Sequence, residues 1–338
     1  MEDIFGYLLE QFQVLPAGLG LHEEPAHIRR FLKGHINRTY FVRVPAGDYV
    51  LQALNTAVYT DPAAVMTNIA QIERIFAAPQ KLVQGEPRIS VPHFLSASGQ
   101  NYVLADGACW RMYQYVEGAA GQVSGTARIA GFAYGRFIRK LQEADLSLRQ
   151  TVPGYHDFQT YYDQLTAVMG SGSYGTLSAV CDKLQRIFTT DMPRRLIHGD
   201  AKTDNLILQA DDACTILDLD TVCHHYVALD YGDLVRSATA GISGTELLAT
   251  IGEVPTGFAQ GLDGLLTTAE IHSLFYGILW VTWELAVRYL TDCYAEERYF
   301  VNKTREDCQK RVTQLIEQAE QFTAIKEEIK QLIQEAFT

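Results

Sequence analysis

Basic residues are scarce in this chain. Lys and Arg number 28 against 40 Asp and Glu among 338 residues, a formal net charge of −12. No basic run offsets that balance, so recognition of nucleic acid through its phosphates is not expected. Long apolar runs are also missing. The most apolar stretch, Phe275 to Trp283 (FYGILWVTW), is closed by Glu284 and has about half the length of a membrane span. It reads as a buried helix, and no membrane partner is expected. The N-terminal MEDIFGYLLEQF carries acids where a secretory signal carries Lys or Arg, and no small-residue cleavage site follows; the expected location is the cytoplasm. The six cysteines (Cys109, Cys181, Cys214, Cys223, Cys293, Cys308) form no C-x-x-C pair. A zinc knuckle and a disulfide framework are therefore not indicated, leaving reduced, packed thiols. There is no internal repeat, no G-x-x-x-x-G-K-[ST] and no G-x-S-x-G, which sets aside P-loop and nucleophile-elbow chemistry.

What is present is an ordinary globular composition, 47% hydrophobic and 20% charged, at a length that fits two domains or one two-lobed unit. From His27 to Leu54 the pattern is HIRRFLK, turn GHIN, RTYFVRV, turn PAGD, YVLQAL. Aromatic and β-branched residues alternate between turn residues, which predicts three antiparallel strands. Asp61 as N-cap and Pro62 at the first helical position open a helix carrying Val65, Ile69, Ile72, Ile75 and Phe76. Strand patterns return at 88–95, 102–106 and 109–116, so the first 115 or so residues read as a small antiparallel sheet with one helix. Beyond the small-residue linker at 118–125 helical patterns dominate, over 126–144, 157–169, 176–190, 229–240, 268–293 and 306–336, with short strands near 194–198, 206–209 and 214–219. The expected domains are 1–117 and 118–338, and the expected class is α+β.

A literal G-x-G-x-x-G occurs at Gly170, Gly172 and Gly175. A dinucleotide site needs a strand before it, whereas YYDQLTAVM reads as a helix, so a helix connection is the better assignment. The informative stretch is LIHGDAKTDNLILQADDACTILDLDTV, Leu196 to Val222. An apolar strand runs into His198-Gly199-Asp200; Asn205 follows five residues later, then a hairpin whose second strand ends on Asp218-Leu219-Asp220. This spacing places a carboxylate and an amide on one loop and a second carboxylate at a neighbouring strand end. Hard oxygen donors of this kind suit Mg²⁺ carrying substrate phosphates, and phosphoryl transfer needs a carboxylate for the acceptor hydroxyl together with an Asn and an Asp on the metal. Polar turn residues capping strand ends would explain one of these positions but not the set.

The stretch resembles the aminoglycoside phosphotransferase and choline kinase family, relatives of the protein kinases whose signature is H-G-D-x-x-x-x-N followed by a D-x-D-like strand end. The blocks GHINRTYFV at 34–42, YVLQALN at 49–55, WRMYQYVEG at 110–118, DLDTV at 218–222, DYGD followed by Arg236, and ELAVRYLTD at 284–292 are most similar to its N-acetylhexosamine kinase branch. The resemblance implies a protein-kinase-like two-lobed fold: a small sheet lobe joined near 115–118 to a larger helical lobe, with nucleotide in the cleft. It implies ATP and Mg²⁺ as cofactors, Asp200 as catalytic base, Asn205 and Asp218 as metal ligands, and His198 as a structural loop residue. Gly34, Ile36 and Asn37 would cover the ATP phosphates, Tyr115 to Glu117 would be the hinge that pairs with adenine, and Lys202 would touch the transferring phosphate or remain a solvated lysine. The acceptor would be a small molecule, an amino sugar, read by His35, Arg288 and Tyr299.

Two departures stand out. Gln52 occupies the place of the kinase lysine that contacts the α- and β-phosphates, and being neutral it forms no ion pair with a helix acid such as Glu73. After DLDTV the chain runs into Cys223-His224-His225, read here as a loop, since two adjacent histidines rarely converge on one metal. The leading expectation is transfer of the γ-phosphoryl of ATP to the anomeric hydroxyl of an N-acetylhexosamine. The competing ones are an aminoglycoside, choline or amino-acid hydroxyl as acceptor, or nucleotide binding without turnover. Asp230 and Asp233 are expected to cap or brace the helix after the metal strand, with a buried pair of Asp233 and Arg236 as the alternative. The sequence leaves the oligomeric state open.

Overall fold

The computed structural model describes residues 2–15, 27–31, 36–79, 83–120, 125–170, 175–189, 191–210, 212–296, 298–300 and 303–338. The chain forms two compact units. The smaller comprises Met1–Pro79, Ser90–Glu117 and Ser147–Val152; the larger comprises Gln80–Ile89, Gly118–Leu146 and Pro153–Thr338.

The smaller unit is an antiparallel sheet of five strands, β1 (His27–Arg30), β2 (Arg38–Val44), β3 (Gly47–Ala53), β5 (Val103–Ala105) and β6 (Ala108–Gln114), in the order β1-β2-β3-β6-β5. Because side chains alternate across a strand, Val42, Val44, Leu51, Ala53, Trp110 and Met112 share one face. That face is closed by Leu8 and Leu9 of α1 (Glu2–Gln11) and by Phe12 just beyond its end. Gln52 and Arg111 stand directly opposite each other in the β3–β6 register, on the other face. The helix after β3, α2 (Pro62–Ala77), starts as its sequence predicts, with the Asp61 carboxylate accepting the Ala64 N–H and Pro62 in the first turn. The unit thus holds two helices where the sequence reading expected one: α1 pairs its apolar stripe with the sheet. The strand pattern at 88–95 divides: β4 (Arg88–Ser90) leaves this sheet, while Phe94 bridges Tyr113 of β6 and the Leu95 N–H donates to the Met112 carbonyl at 2.7 Å.

β4 instead borders a four-stranded sheet with β10 (Ala213–Ile216), β9 (Leu206–Leu208) and β7 (Ala119–Ala120), in the order β4-β10-β9-β7. The Arg88 N–H donates to the Asp212 carbonyl at 2.9 Å. Two further strands, β8 (Arg195–Ile197) and β11 (Cys223–His225), pair antiparallel. Cys223-His224-His225 is thus a strand rather than the expected loop, with His225 opposite Arg195. The remainder is helical: α3 (Ala127–Gln142), α4 (Phe158–Met169), α5 (Gly175–Ile187), α6 (Val227–Ala238), α7 (Gly244–Leu262), α8 (Thr268–Tyr294), α9 (Arg305–Ala324) and α10 (Lys326–Ala336). The C-terminal helix expected over 306–336 is broken at Ile325 (φ −109°, ψ 31°), which lets α9 pack on α8 while α10 turns to pack on α7 as well. No described helix is long and apolar enough to cross a membrane, and none of the six cysteines, all among the described residues, is in a disulfide.

α7 has no counterpart in the sequence reading, and its packing explains why. Pro255 and several glycines interrupt its pattern, and these residue types read as helix breakers. In the fold the glycines are contact surface: a Cβ on Gly257 would lie 2.8 Å from the Arg128 carbonyl carbon and 2.8 Å from the Phe132 amide nitrogen. A Cβ on Gly261 would lie 2.7 Å from the Arg136 nitrogen, and Gly131 and Gly135 of α3 abut the α7 backbone in return. Two glycine pairs spaced by four residues therefore let α3 and α7 touch backbone to backbone. Gly277 on α8 similarly allows α6 to approach, since its Cβ would sit 2.8 Å from the Ala228 Cβ.

Candidate active site

The loop from His198 to Asn205 connects β8 to β9 and is held from two sides by these helices. From α3, the rings of Tyr134 and Phe137 meet the His198 ring edge-on at 5.4 and 5.5 Å, and the Tyr134 hydroxyl donates to the Lys202 carbonyl at 2.9 Å. From α6, the Asp230 carboxylate accepts the backbone N–H groups of His198 (2.6 Å) and Gly199 (2.8 Å), while the Ser237 hydroxyl accepts the Thr203 N–H. Asp230 therefore braces this loop rather than capping its own helix. Burial lifts its carboxyl to about 7 against the two N–H donors that favour charge. His198 is fully buried, with one ring nitrogen on the Leu217 carbonyl (2.9 Å) and Nδ1 accepting the Asp200 N–H (3.2 Å). Burial, first among its surroundings, holds its pKa down, consistent with a neutral structural residue.

Within this frame Asp200, Lys202, Asn205 and Asp218 come together. Asn205 Nδ2 donates to the Asp200 carboxylate at 2.8 Å and to its carbonyl at 2.9 Å. Lys202 Nζ lies 2.6 Å from Asp200 Oδ2, and the half-buried ammonium is the counter-ion of the carboxylate. Burial alone would raise the Asp200 carboxyl; the Lys202 ammonium more than offsets it, and the pKa falls to about 2. Lys202 is pushed down by burial but held well above its ordinary range by Asp200 and then Asp218. The β10 strand end is tied to the same loop, since the Leu217 N–H donates to the Asn205 carbonyl at 2.8 Å. Asp218 follows in the left-handed region (φ 60°, ψ 58°), a conformation a non-glycine residue keeps only when its surroundings impose it. No group of three or more His, Cys, Asp or Glu suited to a metal occurs among the described residues. Asn205 and Asp218 offer two hard oxygen donors, a set that fits Mg²⁺, which usually keeps several waters and takes phosphate oxygens as its remaining ligands.

Arg288 and Tyr299 also meet. The Arg288 guanidinium lies 4.6 Å from the Tyr299 ring centre, 5.0 Å from that of Tyr161 and 5.7 Å from that of Phe300. Asp292 fixes the segment beyond α8 by accepting the N–H groups of Tyr299 (3.0 Å) and Phe300 (2.7 Å). Burial raises the Tyr299 phenol, and Arg288 and Asp200 act on it in opposite directions, which brings the two expected groups into one electrostatic neighbourhood. Asp233 and Arg236 form a buried pair, the alternative to a helix cap, with Arg236 Nε and NH2 donating to Asp233 Oδ1 at 2.9 and 2.6 Å.

In the smaller unit Gly34 and His35 lie outside the described residues. Ile36 is half-buried, and the Asn37 side-chain oxygen accepts the Asn55 N–H at 3.0 Å. Tyr115 and Glu117 line a cavity of about 720 Å³ together with His27, Ile28, Arg29, Phe31, Phe41, Arg43 and Asp48. The Tyr115 N–H is already engaged with the Asp48 carbonyl at 2.9 Å. Gln52 does not face an acid. Its carbonyl accepts from Arg111 Nε at 2.9 Å and its amide donates to Thr39 Oγ1 at 3.1 Å, while Glu73 is turned to His93 and the Phe94 N–H. Arg111 is 2% exposed, with its guanidinium 5.2 Å from the Phe94 ring centre. It escaped the sequence reading, because one arginine in WRMYQ gives no sign that it points inward.

The model of the APH phosphotransferase enzyme family matches residues 27–261, more than two thirds of the chain. This chain belongs to that family. It is a phosphotransferase, an enzyme that passes a phosphoryl group to an alcohol. Solved structures support the fold of this phosphotransferase at low sequence identity. Choline kinase from Cryptosporidium parvum Iowa II aligns over 99% of both chains with a TM-score of 0.60 and 10% identity. An aminoglycoside phosphotransferase from Alicyclobacillus acidocaldarius aligns over 91% of this chain and 92% of its own, with a TM-score of 0.58 and 14% identity. Spectinomycin phosphotransferase, solved with ADP and spectinomycin, aligns over 88% of this chain and 93% of its own, with a TM-score of 0.54 and 13% identity. The phosphotransferase therefore has the kinase-like α+β fold of two lobes, a small antiparallel sheet lobe and a larger, mainly helical one.

Proposed function

We propose that the phosphotransferase uses ATP with Mg²⁺ to phosphorylate a sugar hydroxyl, and that its acceptor is the anomeric hydroxyl of an N-acetylhexosamine. The observation that carries the chemistry is the Asp200 carboxylate, oriented by Asn205 at 2.8 Å and kept ionised by Lys202 at 2.6 Å. An ionised, fixed carboxylate is what a general base for an alcohol requires. Asn205 and Asp218 would hold Mg²⁺, which would neutralise phosphate charge when bound. Spectinomycin phosphotransferase was solved with ADP, which supports adenine nucleotide as the donor. The cavity of about 720 Å³ beside Phe31, Phe41 and Tyr115 is large enough for an adenine nucleoside. With the Tyr115 N–H engaged, adenine would pair with the backbone beyond it, toward Glu117. Gln52, oriented by Arg111, would offer its amide to the phosphates in place of a lysine, and Ile36 would join Gly34 and Asn37 over them.

Acceptor choice follows from Arg288. Choline, and the ammonium groups of an aminoglycoside, are recognised by open aromatic faces or by acids. Here the faces of Tyr161 and Tyr299 are already taken by the chain's own guanidinium, which would also repel a polycation. A neutral, polyhydroxylated ring with an acetamido carbonyl suits directional donors from Arg288, Tyr299 and His35 better. The intact set of Asp200, Asn205 and Asp218 speaks against nucleotide binding without turnover.

The test is ADP release with about twenty sugars, aminoglycosides and amino alcohols, with Asp200→Asn as control. N-acetylglucosamine or N-acetylgalactosamine should head the panel, and Asp200→Asn should lose orders of magnitude in kcat while binding nucleotide as before. Preference for kanamycin or choline would overturn the acceptor assignment, and turnover retained in Asp200→Asn would overturn the base.

A further inference from the structure

His156 lies 42 residues before His198, in no motif of the sequence, and is 5% exposed. Its Nδ1 faces both oxygens of Glu284 on α8, at 3.1 and 3.2 Å. Its Nε2 faces the carbonyl oxygen of Gly199 at 2.8 Å. A carboxylate and a peptide carbonyl can only accept, so both ring nitrogens must donate and the ring is an imidazolium. The Tyr155 hydroxyl donates to the same Gly199 carbonyl at 2.9 Å. On the other side of that residue the Gly199 N–H is held by Asp230, and the Asp200 N–H by His198 Nδ1. Gly199 has φ 82°, and a Cβ there would be 2.5 Å from the Thr221 carbonyl oxygen. The peptide that delivers Asp200 is therefore fixed at every polar atom by side chains of the larger unit.

We infer that His156 is a positioning residue: as an imidazolium clamped between Glu284 and the Gly199 carbonyl, it sets the orientation of the Asp200 carboxylate and consumes the charge of Glu284. The second effect reaches Arg288, whose NH1 stands 3.9 Å from Glu284 Oε1. With Glu284 neutralised by His156 and accepting from Trp280 Nε1 at 3.1 Å, the Arg288 guanidinium keeps its charge and its donors for an acceptor. The groups facing the ring are Glu284 from α8, Asp230 and Asp233 from α6, His225 from β11 with its ring 5.9 Å away, and Tyr155. Burial opposes charge on His156, but Glu284, Gly199 and Asp233 outweigh it and raise the ring to about 9. His225, lowered to about 3 by burial and by His156 itself, stays neutral beside it. The inference rests on the reading of Asp200 as base, and its test keeps the two apart.

The full chain labelled with ¹⁵N-histidine should show both His156 ring nitrogens protonated at pH 7.5, with proton loss near pH 9. An unprotonated ring nitrogen at pH 7.5 overturns the inference, whatever the variants do. His156→Gln should lower kcat for ADP release with N-acetylglucosamine, or for ATP hydrolysis without acceptor, at least tenfold while the KM for ATP changes less than twofold. In Glu284→Gln the ring loses its counter-ion, so the alkaline limb of kcat should move from near pH 9 toward the ordinary histidine range, about 6.5. A residue that only supports the fold would reduce the amount of active enzyme and leave that limb in place. A His156→Gln kcat within twofold of native, or an unmoved limb in Glu284→Gln, contradicts the role. Should His156→Gln fail to fold, the labelled native chain and Glu284→Gln still decide. Turnover retained in Asp200→Asn would remove the base reading alone, because ring protonation is read without turnover.

Discussion

Two glycines five residues apart on α7 should respond to the same substitution with opposite signs. Gly257→Ala adds a methyl that would meet the Arg128 carbonyl and the Phe132 amide at 2.8 Å or less. These are backbone atoms of α3, so no side chain can rotate to relieve them, and the helices must separate along a seam that also contains Gly131, Gly135 and Gly261. Overpacking of this kind costs about 1–3 kcal/mol or more, against a gain of about 1 kcal/mol in helix propensity. Because the whole seam must open, a net loss of about 2 kcal/mol is expected. Gly252→Ala meets only the tip of Leu332, at 3.3 Å. That side chain is half-buried and can give by a few tenths of an ångström, so the variant should match the native protein or exceed it by up to about 1 kcal/mol. Urea unfolding with unchanged m-values measures both. Since α3 carries the rings that meet His198, Gly257→Ala should lower kcat as well. Equal stability of Gly257→Ala and the native protein, or shifts of one sign in both variants, would refute the backbone-contact argument.

Asp218→Ala should abolish Mg²⁺-dependent turnover and leave the urea midpoint nearly unchanged, since the side chain sits at a strand end; undiminished activity would remove it from the metal site. Lys202→Met should shift the acid limb of kcat upward, because burial then acts on Asp200 with its chief opponent removed. In the native protein that carboxyl stands at about 2, below its ordinary 3.8, so its contribution to stability is present above pH 4 and is lost as pH falls toward 2; an acid limb that does not move in the variant contradicts the pairing. Arg111→Met should raise the KM for ATP about tenfold with little change in kcat, by leaving the Gln52 amide without its fixed donor; an unchanged KM would show that Gln52 needs no such support.

Local chemistry was legible wherever it recurs at short range. The turn residues between β2 and β3, the Asp61 cap, and the five-residue spacing of Asp200 and Asn205 all describe neighbours within a few residues. What escaped depends on distant pairing. Glu284 is 128 residues from His156, and nothing in either local pattern announces the other. The segment 88–95 has strand character, yet only the partner on β10 decides which sheet receives β4. α7 was hidden by residue types whose helix-breaking tendency is local and whose packing value is tertiary. Gln52 was noticed as a departure, but its partner Arg111 lies across a strand pair, where sequence distance carries no information.

The route of the chain through β4 limits how this enzyme can be taken apart. Residues 80–89 belong with the larger unit although they precede β5 and β6, and residues 147–152 return to the smaller one. A gene divided after Glu117 would send β4 away with the wrong fragment. The short, buried β10 would then become a bare edge, its neighbouring Asp212 carbonyl without the Arg88 N–H, and bare edges recruit other strands. Chimaeras meant to trade one acceptor preference for another would therefore need several crossovers rather than one, with 80–89 travelling alongside the helices.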